Sequence, residues 1–135
     1  LIGIVIVAHG GLAREYKAAI EHVVGPQNGL RAVAIEDDHD RSAKEAEIGR
    51  AADAVDEGQG VVVVTDLYGG SPSNLAHRAC IGCRRVFLYG ANLPMLLKLA
   101  KSRQLPIDEA VAGAKEAGRK YINSSEALPA ARVAW

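Results

Sequence analysis

Two rhythms of apolar and polar positions alternate along this chain. The run Ile4-Val5-Ile6-Val7-Ala8 is apolar without interruption, and residues 1–8 read as a strand buried on both faces. Leu12, Tyr16, Ala19, Ile20 and Val23 then recur at helical spacing until Gly25-Pro26 stops the helix. Leu30 to Ile35 predicts a second strand. The acidic stretch Glu36-Asp37-Asp38-His39-Asp40 reads as a solvated loop whose Asp40 caps the next helix. Ile48, Ala51, Ala52 and Val55 mark the buried stripe of that helix, and Gly58 and Gly60 end it. Val61 to Thr65, almost wholly β-branched, predicts a central strand.

Ser71 is a good N-cap with Pro72 at the first helical position, so a helix is expected there to about His77. Val86 to Tyr89 predicts a fourth strand, Gly90-Ala91 a turn, and Asn92 a cap for a helix through about Ala100. Lys101 to Pro106 links to a last helix, on which Ile107, Ala110, Val111, Ala114 and Tyr121 share a face. The order β-α-β-α-β-α-β-α-α predicts an α/β fold with a doubly wound, mostly parallel sheet and helices on both faces. The tail 123–135 is less regular. Leu128, Val133 and Trp135 are too apolar for a free end, so it is expected to form an antiparallel edge strand or to pack on a partner subunit.

Composition narrows the function classes. The 135 residues fit a single domain, 1–135, able to bury roughly two-thirds of its unfolded surface. Sixteen basic and sixteen acidic side chains leave no net charge, and one Phe and one Trp offer few stacking platforms, so no nucleic-acid partner is expected. The apolar opening is short and has no basic leader, which argues against a signal peptide or direct membrane insertion. Two cysteines and no export signal suggest a cytoplasmic setting.

Candidate chemistry gathers at predicted strand ends, where open α/β sheets collect ligands. His9-Gly10-Gly11 follows the first strand, Asp66 through Gly69-Gly70-Ser71 the third, and Gly90-Ala91-Asn92 the fourth. Glycines let backbone N–H groups approach an anion, and helix N-termini favour negative charge. Neither a phosphate-binding loop with its lysine nor a dinucleotide fingerprint is present. A phosphoryl group carried on histidine needs less machinery. Neutral His9 can attack phosphorus in line while Asp66 accepts a proton from its other ring nitrogen. The helix dipole favours the neutral imidazole and Asp66 the protonated one. A structural His9 and a turn carboxylate at Asp66 remain the bland alternatives, and Ser71 can cap its helix, donate to phosphate, or do both.

His77, Cys80 and Cys83 stand three residues apart, which fits metal ligands, a redox pair or small buried thiols; the last is preferred and no metal is assigned. His22 falls near a helix C-terminus, where positive charge is favourable. His39 is expected to be solvated.

The blocks Ile4-Val5-Ile6-Val7-Ala8-His9-Gly10, Asp66-Leu67-Tyr68-Gly69-Gly70-Ser71-Pro72-Ser73-Asn74 and Gly90-Ala91-Asn92-Leu93-Pro94-Met95 resemble a known family. It is the cytosolic mannose-type IIA domain of the bacterial phosphoenolpyruvate-dependent sugar phosphotransferase system, and the resemblance spans about residues 1–122. It implies a phosphotransferase component that takes phosphate on His9 from the phosphocarrier protein HPr and passes it to a IIB partner, in sugar uptake or its regulation. Asp66 matches the carboxylate paired with that histidine and Ser71 a hydroxyl near the site; Gly10, Gly11, Gly69 and Gly70 would line the phosphate. No cofactor is implied. The family is commonly a homodimer with an exchanged C-terminal strand. Fused relatives continue into a IIB domain where this chain stops, so action in trans is expected. Two rival readings remain: the phosphotransfer subunit of a dihydroxyacetone kinase system, and a non-catalytic dimeric regulatory module.

Overall fold

The computed structural model describes residues 1–82 and 84–127. Four strands, β1 (Gly3–His9), β2 (Leu30–Ile35), β3 (Val61–Thr65) and β4 (Arg85–Leu88), form a parallel sheet in the order β2-β1-β3-β4. Five helices connect and cover them: α1 (Leu12–Val24), α2 (Arg41–Val55), α3 (Gly70–Cys80), α4 (Leu93–Lys101) and α5 (Ile107–Lys120). The expected doubly wound parallel architecture is what forms. The edge strand expected in the tail 123–135 is not seen in its described part, where Ser125–Ala127 makes a single 3-10 turn; residues 128–135 lie outside the described residues.

The period-two alternation of the strands divides the core into two layers. Ile4, Ile6, Ala8, Val62, Val64 and Leu88 pack against Ile20, Leu96, Leu99, Ala110 and Ala114 of α1, α4 and α5. Val5, Val7, Val33, Ile35, Val61 and Val63 face Ile48, Ala52, Leu75 and Ala76 of α2 and α3. β1 and β3 are the inner strands and are covered on both faces, which is why their sequences lack the polar positions of a one-sided strand.

This strand order creates a switch point. The chain leaves β1 toward β2 on one side, then crosses over to β3 on the other. The loops after β1 and β3 therefore diverge, and the crevice between them opens at the carboxyl ends of both strands, where α/β sheets bind ligands. At the opposite end of the sheet, Arg103 is almost wholly buried and ties the strand entrances together. Its Nε donates to the Ile2 carbonyl at 2.7 Å and its Nη1 to Gln27 at 3.3 Å.

Several expected boundaries move. α3 begins at Gly70 and runs to Cys80, with Gly69 as its N-cap and no side-chain cap, so Ser71 does not cap the helix. The positive φ values of Gly69 and Gly70 (98° and 82°) let the chain enter the helix two residues earlier than a Ser-Pro start implies. β4 occupies 85–88 and not 86–89. Asp40 and Asn92 do cap α2 and α4, accepting from Ala43 N–H and Met95 N–H at 3.0 Å each. On α1, Leu12 and Val23 lie outside the buried stripe, and Tyr121 is exposed at the end of α5 instead of sharing its buried face.

Candidate active site

His9 is the last residue of β1, and it is the point at which an otherwise buried strand reaches solvent. Asp66 directly follows β3. The parallel register places Val7 opposite Thr65, so Asp66, one position on, and His9, two positions on, emerge side by side at the ends of adjacent strands. His9 Nδ1 lies 2.7 Å from Asp66 Oδ2, and the same oxygen accepts the His9 backbone N–H at 3.2 Å. Asp66 Oδ1 accepts from the N–H of Leu67 at 3.1 Å. The aspartate side chain is only 9 % exposed, whereas that of His9 is 52 % exposed.

Those contacts favour one placement of the proton. Burial raises the Asp66 pKa, but the hydrogen bonds from the His9 ring and backbone N–H outweigh burial and hold the carboxyl below its usual value. Asp66 is thus an acceptor, and the ring nitrogen facing it must be the donor. In the neutral imidazole this leaves the lone pair on Nε2. That atom points across the crevice toward the start of α3: a Cβ added at Gly70 would stand 3.7 Å from it.

The glycines form an open floor. Gly10 adopts φ +54°, and a Cβ at Gly10 or Gly69 would meet nothing within 4 Å. Gly10 N–H itself is used by the fold, donating to the Ile35 carbonyl at 3.0 Å and joining the first crest to the end of β2. Gly11 is the N-cap of α1, and half-buried Ser71 sits in the first turn of α3. The start of α3 therefore stands on the side of the imidazole that Asp66 leaves free, and α1 begins three residues after His9; helix N-termini of this kind suit an anion.

The third crest joins through the backbone. Ala91 N–H donates to the Thr65 carbonyl at 3.0 Å, and the Tyr16 hydroxyl donates to the Ala91 carbonyl at 3.3 Å. Tyr16 reads in the sequence as one more apolar position of α1. In the fold its hydroxyl is close enough to Asp66 for that charge, after burial, to raise its pKa. No local pattern signals this role, because it depends on α1 crossing the ends of β3 and β4.

The other histidines and Cys80 lie elsewhere. His77 stacks on Phe87 with ring centroids 5.1 Å apart, Cys80 is buried on α3, and Cys83 is outside the described residues. His22 is in the last turn of α1. His39 is not simply solvated; it is half-buried, with Nδ1 2.7 Å from the Glu36 carbonyl. Among the described residues no helix is long and apolar enough to cross a membrane.

Residues 3–115 match the family EIIA-man, described as the PTS system fructose IIA component. The PTS system mannose-specific EIIAB component of Escherichia coli (strain K12) is 28% identical over 136 residues, covering 98% of this chain and 42% of that protein. The chain thus spans about two-fifths of the length of that curated relative. Among solved structures, a phosphotransferase system component EIIA from Streptococcus agalactiae superposes with a TM-score of 0.84 at 22% identity, covering 95% of this chain and all of that one, a likeness of fold. The PTS IIA protein associated with the fucose utilization operon from Streptococcus pneumoniae gives a TM-score of 0.79 at 27% identity, covering 94% and 96%. The fold, the family match along most of its length and these relatives agree: the chain belongs to the EIIA-man family, the mannose- and fructose-type IIA components of the sugar phosphotransferase system.

Proposed function

We propose that this chain carries a phosphoryl group on His9 Nε2, accepting it from phosphorylated HPr and handing it to a IIB domain during sugar uptake or its regulation. The observation that carries the reading is the division of labour around one imidazole. Nδ1 faces the Asp66 carboxylate, while Nε2 faces Gly70 at the start of α3.

The chemistry follows from that division. The Nε2 lone pair attacks phosphorus in line, the donor's P–N bond breaks, and its electron pair returns to the donor imidazole. His9 then bears positive charge, and the Nδ1 proton stays shared with Asp66, which stabilises the phosphoimidazolium without removing the proton. Free N–H groups at the starts of α1 and α3 would stabilise the equatorial oxygens, with Ser71 beside them as a hydroxyl donor. The family match favours the sugar-system reading over the dihydroxyacetone kinase one.

A homodimer is part of this reading. β4 is an outer strand of the sheet, and Tyr89 and Ile122 stand exposed along a cavity of about 450 Å³ beside it, which supports a second copy at that edge. Sedimentation equilibrium would report it.

Incubation with phosphoenolpyruvate, enzyme I and HPr, followed by phosphate mapping under alkaline conditions, is the direct test. One acid-labile phosphate on His9, lost in His9→Ala, is expected. A chain that stays unlabelled, or a label that survives His9→Ala, would remove this function.

A further inference from the structure

A phosphoryl group on His9 creates an electrostatic problem in this chain. It brings roughly two negative charges next to an imidazole whose other nitrogen already faces the Asp66 carboxylate. None of the three crests, His9 to Leu12, Asp66 to Ser71 and Gly90 to Asn92, contains a lysine or arginine. The first cation beyond them is Arg14, in the first turn of α1.

Three observations bear on Arg14. Its guanidinium folds back toward the start of its own helix, with Nη2 3.5 Å from the position a Cβ would take at Gly11. Among the described residues it makes no hydrogen bond or ion pair, and Glu15, one position on, does not face it along a helix. A cation in the first turn also opposes the helix dipole, so the location does not help α1 form.

Gly11 lies beside that guanidinium. Its φ of −88° does not call for glycine, and a Cβ there would stand in ordinary contact with Arg14, so only a longer side chain would crowd the guanidinium.

Resting on the phosphocarrier reading above, we propose that Arg14 is a phosphate-binding residue of this chain, whose guanidinium neutralises the phosphoryl group on His9. A planar fork of N–H donors suits phosphate oxygens, and an arginine offers it without any change of protonation.

Phosphoramidate tests this without any partner protein. Nε2 attacks its phosphorus, the P–N bond breaks, and the electron pair leaves with nitrogen as ammonia. Intact-mass measurement follows labelling of the whole 135-residue chain, with His9→Ala as the blank. Arg14→Gln is expected to slow labelling by about three- to tenfold at low salt, as fits one partly exposed charge-assisted contact. It should also flatten the salt dependence of the rate. Arg14→Lys should recover part of the loss, and Gly11→Leu should behave like Arg14→Gln by displacing the guanidinium.

Equal rates and equal salt dependence for the parent and Arg14→Gln would overturn the proposal. Arg14-dependent labelling by phosphoramidate, without labelling by enzyme I and HPr, would support Arg14 and remove the phosphotransfer assignment. No His9 label from either source would overturn both.

Discussion

The 2.7 Å contact between His9 Nδ1 and Asp66 Oδ2 joins residues fifty-seven positions apart at the ends of two adjacent parallel strands. It is reinforced by the backbone N–H of His9 donating to the same oxygen. The carboxylate therefore fixes both the tautomer and the position of the imidazole. Changing the ring nitrogen it faces would change which nitrogen is available for chemistry.

Asp66→Asn is expected to leave the fold intact and to slow phosphoryl uptake by His9 by about a hundredfold, the lower end of the range for a positioned acid–base partner. Asparagine can still accept from Nδ1–H, but it removes the negative charge that stabilises the phosphoimidazolium. Single-turnover transfer from phosphorylated HPr measures the rate, and ¹⁵N NMR of the ring reads the tautomer. An unchanged rate would take Asp66 out of the mechanism.

The lowered pKa of Asp66 predicts a pH dependence with a definite sign. The unfolded chain takes up the aspartate proton at an ordinary value near ~4, before the folded chain does. Acid therefore favours unfolding through this group. Its stabilisation is complete above that value and is lost as pH falls through the lower folded value. Urea titrations of the parent and Asp66→Asn between pH 7 and pH 3, on the scale of model carboxyl values of about 4, should show a stability gap that narrows at the acid end. A gap that widens there would contradict the assignment.

Gly70→Ala tests the approach to Nε2. The new methyl would stand 3.7 Å from that atom, at a backbone φ of +82°. The left-handed conformation should cost about 1–2 kcal/mol of stability, seen in denaturant melts. The loss of labelling on the folded fraction should exceed what this destabilisation explains, because the methyl occupies the path of an incoming phosphorus. Labelling at the parental rate would mean that phosphate approaches from another direction.

Arg103→Ala separates the scaffold from the chemistry. Its buried guanidinium serves the Ile2 carbonyl at the end of the sheet far from His9. Removing it leaves that carbonyl and neighbouring acceptors unpaired, with an expected loss of about 2–4 kcal/mol. Phosphoryl transfer per folded molecule should stay at the parental rate. A selective loss of transfer without loss of stability would show that this end of the sheet communicates with the site.

Much of the architecture is legible locally. Val61 to Thr65 has no polar position before its end because both faces of β3 are covered, and that pattern alone marks a central strand. Asp40 and Asn92 show themselves as caps because capping needs only a short side chain three residues before an N–H group. Ser71 carries the same signal and does not cap, because two positive-φ glycines start α3 before it. Local chemistry offers alternative starts to a helix, and tertiary packing selects among them.

His9 and Asp66 were each visible as a polar residue at the exit of an apolar run, since a buried strand can place such groups only where it meets solvent. Their pairing was not a local property. It required the order β2-β1-β3-β4, which makes β1 and β3 neighbours and puts the switch point between them. Tyr16 and Arg14 carried no distinguishing signal at all, because their significance comes from where α1 passes and how a side chain folds over Gly11. The sequence by itself determined the elements and the chemical groups at their ends, through periodicity and residue type. Only the tertiary structure decided which ends meet and which imidazole nitrogen faces the carboxylate, because those depend on strand order and register across the whole chain.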